Sequence, residues 1–92
     1  MTFDPDQPDN RDDAEVLASE RAAAAGDWPA AFAAAQTGLT RTSLDGPHRR
    51  RLIELAATAA CTLGHRDDTR HYLALASAEI EARVRARCPT AP

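Results

Sequence analysis

The sequence predicts an all-α protein made of two antiparallel helical hairpins, four helices in all, behind a disordered acidic tail. Three observations carry that expectation. Apolar residues recur at three- and four-residue spacing through most of the chain, and β-type alternation appears nowhere. Two single glycines, Gly26 and Gly64, each stand between an alanine-rich stretch and a second periodic segment. Ninety-two residues accommodate one domain and no more.

Taken in order, residues 1–11 combine aspartate, proline, glutamine and asparagine with one aromatic, Phe3. Too little apolar surface is present there to offset ordering, so this stretch reads as the disordered tail. Asp12 or Asp13 can cap a first helix, which runs to Ala25 and ends at Gly26 as a helix does before a left-handed glycine. Asp27 then caps a second helix, with Pro29 in the first turn, where a missing N–H costs nothing. Trp28, Phe32, Ala35 and Leu39 form its apolar stripe. Thr40 to Gly46 is the one sizeable connection.

Pro47 opens a third helix that continues to Leu63. Leu52, Ala56, Ala59 and Leu63 mark its centre line, and Ile53, Leu55 and Ala60 widen it. After Gly64, Asp67 or Asp68 caps a fourth helix running to about Arg87, roughly 30 Å long, before Cys88-Pro89 stops it. Its stripe is Leu73, Ala76, Ile80 and Val84, and Glu79 with Arg83 and Glu81 with Arg85 form i,i+4 pairs. The folded domain is thus expected over 12–88, with residues 89–92 a flexible C-terminus.

Composition narrows the function. The chain is 43% apolar, but so much of that is alanine that the core is thin. Burial of each large side chain stabilises by about 1.5–3 kcal/mol, which leaves a domain of this size marginal alone. Self-association, or docking on a larger protein, would supply the missing burial. All eleven basic residues are arginine and the net charge is −3, which lowers the expectation of general nucleic-acid binding. No apolar run is long enough to span a bilayer, and the acidic, proline-bearing start reverses a signal peptide's layout. A complete, cytoplasmic product is therefore expected, with no membrane partner.

The two halves share a plan of alanine-rich helix, glycine, short turn and second helix, and the two glycines are 38 positions apart. The segment Gly26-Asp27-Trp28-Pro29-Ala30-Ala31-Phe32 resembles the turn and second-helix opening of a tetratricopeptide repeat, whose period is about 34 residues. Ala31 stands at the small packing position, and Gly38 and Leu39 match the small–apolar pair that follows. The second half is similar but looser: Ile53, Ala56, Ala57, Ala60, Gly64, Leu73 and Ala76 match, whereas Arg66 and Thr69 replace the usual aromatic and alanine. In the first helix Glu15 and Ser19 depart from the pattern.

The resemblance covers about residues 12–88 and implies a right-handed stack of two repeats. It also implies a concave face lined by Asp13, Val16, Glu20, Ala23 and Ala24 from the first helix, and by Arg51, Glu54, Thr58, Cys61 and Thr62 from the third. Helical geometry alone puts Glu54, Thr58 and Cys61 opposite the third helix's apolar arc. Family members that clamp a C-terminal carboxylate do so with lysine and asparagine, and this chain has no lysine and only Asn10.

Two further surfaces stand out. Leu75, Ala82 and Ala86 lie nearly opposite the main stripe of the fourth helix, a line suited to self-association as a homodimer. Arg49, Arg50 and Arg51 occupy a first turn where cations oppose the helix dipole, so an anion or acidic partner would compensate them.

Cys61 and His65 are four apart, but Gly64 interrupts the helix between them and no CxxC or HxxxH accompanies them, so no metal, cofactor or catalytic role is expected. An internal Cys61–Cys88 disulfide is not expected either, because a continuous fourth helix would hold the two far beyond the roughly 7 Å that bridged Cα atoms allow. The sequence thus points to a non-catalytic protein-interaction module, a small adaptor or accessory subunit. Its alternatives are a nucleic-acid-associated regulator using Arg49–Arg51 and a metal- or thiol-dependent enzyme component around Cys61.

Overall fold

A computed structural model describes the backbone of residues 8–41 and 47–92, and the side chains of 14–40 and 48–92. The start of the chain, the side chain of Asp13, Leu44 and the Asp45-Gly46 connection lie outside the described residues. Within them the chain is all-helical, with no strand. Five helices follow in order: α1 (Pro8–Ala24), α2 (Trp28–Arg41), α3 (Pro47–Leu63), α4 (Arg66–Leu75) and α5 (Ala78–Arg87). The start of α1 at Pro8 lies inside the stretch expected to be tail.

The turns after α1 and α3 are built alike. Gly26 and Gly64 hold φ of 76° and 81°, the left-handed region that an L side chain enters only at a cost. At the first, Gly26 N–H donates to the Ala23 carbonyl and Asp27 N–H to that of Ala22; at the second, Gly64 N–H donates to Cys61 and His65 N–H to Ala60. Both are the paired C-terminal bonds that satisfy a helix's last carbonyls while reversing the chain. Asp27 then caps α2 by accepting from Ala30 N–H at 3.3 Å. Asp67 and Asp68 do not cap α4; they sit inside its first turn, where a negative charge meets the positive end of the helix.

The middle helix is the core. Every residue of α3 from Leu52 to Ala60 is buried. Around it pack Phe32, Tyr72, Ile80 and Val84, together with the fully buried alanines Ala31 and Ala35. Small side chains let the helix axes approach closely: a Cβ built at Gly38 would stand 2.8 Å from a Leu52 methyl. Ser19, fully buried, donates its hydroxyl to the Ala31 carbonyl at 2.8 Å and ties α1 to α2. α3 touches every other helix; α1 packs on α2 and α2 on α3.

The expected long fourth helix is two helices. Ala76 and Ser77 adopt extended ψ values of 150° and 164°, and Ser77 Oγ accepts from Ile80 N–H at 3.2 Å to start α5 afresh. The break sends α5 back along α3 in the same direction, with Arg83 beside Glu54 near one end and Cys88 beside Cys61 near the other. This overturns the exclusion of an internal disulfide: Cys61 and Cys88 are bonded, with Cα atoms 6.4 Å apart. Arg85 donates to the Ala91 carbonyl at 3.2 Å and to that of Pro92 at 2.8 Å, while pairing with Glu81 at 3.0 Å.

Candidate functional site

The residues expected on a concave face are distributed unevenly by the fold. Val16 is 7% exposed and belongs to the core, because α1 lies against both α2 and α3. Glu54 and Thr58, each 4% exposed, are covered by α5. Cys61 is half-buried at the far end of the same face, and Thr62 points to solvent with its hydroxyl bonded back to the Thr58 carbonyl at 2.8 Å. The reason is the break at Ser77: a continuous helix would leave this side of α3 open, whereas the returning α5 closes it. Thr58 Oγ1 is left buried without a hydrogen-bond partner.

Glu54 is instead the centre of an ion-pair cluster. Its Oε1 accepts from Arg83 Nε at 3.1 Å and Nη2 at 2.9 Å, and its Oε2 from Arg51 Nη1 at 3.2 Å. Arg51 reaches across to Glu20 at 2.9 Å and so bridges α1 to α3. The hydrogen bonds it donates to Glu54, and then the Glu54 charge, push the Arg83 guanidinium above its already high ordinary value, so it stays charged at any working pH. Arg83 therefore takes a cross-helix partner in place of the i,i+4 pairing with Glu79.

One opening is a groove of about 520 Å³ on the side shared by α1, α3 and α5. Leu17, Glu20, Arg21, Ala23 and Ala24 line it from α1, Trp28 from the start of α2, Arg51 and Leu55 from α3, and Arg87 from α5. Leu17 is 49% exposed there and Trp28 is half-buried. The Arg21 and Arg87 side chains form no hydrogen bond or ion pair among the described residues, whereas Arg51 and Glu20 are committed to each other. Glu20, Ala23, Ala24 and Arg51 of the expected face thus line an opening; Leu17, Arg21, Trp28 and Arg87 join them unforeseen. A signal for Leu17 existed in the sequence. It is a large apolar residue about 100° round the helix from Val16, off the Val16, Ser19 and Ala23 side that α1 turns to the core.

The other sites are placed apart. Arg49 is half-buried and Arg50 exposed, but Arg51 is bound by two carboxylates, so the cluster does not offer three free cations. Leu75 lies on α4 and is 47% exposed, while Ala82 and Ala86 lie on α5, so the line expected on one helix is divided between two. Cys61 is bonded to Cys88 rather than available as a thiolate beside His65, and His65 instead stacks edge-on against Phe32. Among the described residues no helix is long and apolar enough to cross a membrane. No protein-family model matches the chain, no curated protein matches it, and no solved structure matches it.

Proposed function

We propose that this chain is a non-catalytic protein-interaction module, a TPR-like adaptor or accessory subunit that docks another protein in the groove between α1, α3 and α5. The observation that carries the reading is the groove itself: exposed Leu17 and half-buried Trp28 supply apolar contact, and the uncommitted Arg21 and Arg87 border it. Bulky apolar and arginine side chains are the types that dominate binding at protein interfaces. A partner segment bearing an apolar side chain flanked by carboxylates suits that lining.

The tetratricopeptide-like part of the reading is supported by the matching glycine turns and by α3 packing against both α1 and α5 as well as α2 and α4. In that scheme α5 serves as the capping helix of a two-repeat stack. Self-association is retained as a proposal on the strength of exposed Leu75. The expected cytoplasmic location is also a proposal, and the Cys61–Cys88 bond pulls against it, since disulfides persist mainly in oxidising compartments.

Co-purification from native cells, with light scattering on the product, tests the docking reading. A complex formed by the unaltered chain and lost on Leu17→Glu is the expected result. A monomer that recovers no partner from any native extract, or a partner retained fully by Leu17→Glu, contradicts it.

A further inference from the structure

We propose that the Cys61–Cys88 disulfide is a site of thiol–disulfide exchange with a low-molecular-weight anionic thiol, which would form a mixed disulfide at Cys61 and release Cys88. Three independent features of one end of the molecule point there. The first is access. A cavity of about 380 Å³ is lined by Cys61, Gly64, Arg66, Thr69, Thr90 and Pro92, so one partner of the bond borders it. Cys61 is half-buried, whereas Cys88 is 7% exposed and does not line the cavity. A thiolate arriving from solvent therefore meets Cys61 Sγ first.

The second feature is charge. Arg66, exposed at the start of α4, forms no ion pair or hydrogen bond among the described residues and borders the same cavity. A guanidinium there attracts an incoming thiolate and the carboxylates of a thiol-bearing peptide. The third is the leaving side. The Thr90 hydroxyl stands 3.5 Å from Cys88 Sγ and 4.0 Å from Cys61 Sγ. A disulfide sulfur carries no proton, so the hydroxyl is the donor, placed to stabilise a thiolate developing on Cys88.

The step balances without an external oxidant or reductant. The incoming thiolate forms a bond to Cys61 Sγ, the Cys61–Cys88 bond breaks, and its electron pair leaves on Cys88 Sγ, which takes a proton from solvent. One disulfide is consumed and one formed. Because Arg87 precedes Cys88 and borders the docking groove, the exchange also unfastens that side of the groove.

The test treats the oxidised full chain with reduced glutathione, the carboxylate-bearing probe, and separately with cysteamine, a cationic thiol, and maps adducts by peptide mass spectrometry. The adduct is expected on Cys61. Arg66→Glu is expected to slow the glutathione reaction by about threefold to tenfold at low salt while leaving cysteamine unchanged or faster. Thr90→Val, which keeps the side chain's shape, is expected to slow both thiols. An adduct confined to Cys88, no adduct with either thiol, or an equal effect of Arg66→Glu on the two thiols overturns the proposal. Arg66 and Thr90 are exposed, and helical circular dichroism of each variant shows whether a rate change reflects chemistry or unfolding.

Discussion

Gly26 and Gly64 occupy φ values near +80° with nothing within 4 Å of where a Cβ would stand, so the whole cost of an added methyl there is conformational. Gly26→Ala and Gly64→Ala should each destabilise the fold by about 1–2 kcal/mol, read from urea unfolding midpoints. A gain in stability at either position would refute the shared turn. Ser19 poses the complementary case. Its hydroxyl is fully buried against the Ala31 carbonyl, which it shares with the helical ladder of α2. Ser19→Ala should cost about 1 kcal/mol, since the carbonyl keeps its helical donor and only one hydrogen bond is lost. At this scale a departure from the tetratricopeptide pattern has a physical role: serine supplies a small side chain and a bond that glycine cannot.

Among the elements, α5 depends on three fastenings: the Ser77 cap, the Glu54 cluster and the disulfide. Ser77→Ala should cost about 1 kcal/mol through loss of the cap. Removing the covalent link, with Cys61→Ser and Cys88→Ser together, frees a loop closed across a separation of 27 residues. In the chain-entropy account that costs about 3–4 kcal/mol, measurable as a lower unfolding midpoint of the double variant.

The sequence made α1 through α3 legible because strong punctuation coincides with periodicity: glycine after α1 and α3, Asp27 before α2, Pro47 before α3. The break before α5 was harder to see. Leu73, Ala76, Ile80 and Val84 keep helical spacing straight across it, and neither glycine nor proline marks the spot. A weaker signal was present: Ser77 followed by Glu79 and Glu81, with Arg85 and Arg87 ending the segment, is the charge order of a helix with its own start and finish. The returning α5 brings Cys88 to Cys61 and covers the side of α3 that carries Glu54 and Thr58, which one continuous helix would not do. The groove was half legible, since its α1 and α3 members follow from helical faces whereas Arg87 reaches it only after the chain turns back.

Across the whole molecule, charge and apolar exposure are unevenly shared. The first thirteen residues hold five of the fourteen carboxylates and one arginine, so from Ala14 onward ten arginines outnumber nine carboxylates. The segment from Ala14 onward is therefore slightly basic although the chain is acidic, and Arg21 and Arg87 place part of that charge beside the apolar opening. Two large apolar side chains of nearly equal exposure, Leu17 at 49% and Leu75 at 47%, offer an internal comparison, because Leu17 lines the groove and Leu75 does not. Exposure alone treats them alike; a docking groove does not.

The most direct measurement is site-resolved photo-cross-linking in native cells, with a photoreactive amino acid placed at position 17 in one chain and at position 75 in another. The groove account predicts a discrete cross-linked partner protein from position 17 and, from position 75, nothing but a second copy of this chain. Capture of a different protein from position 75 alone would place the contact surface on α4 and contradict it.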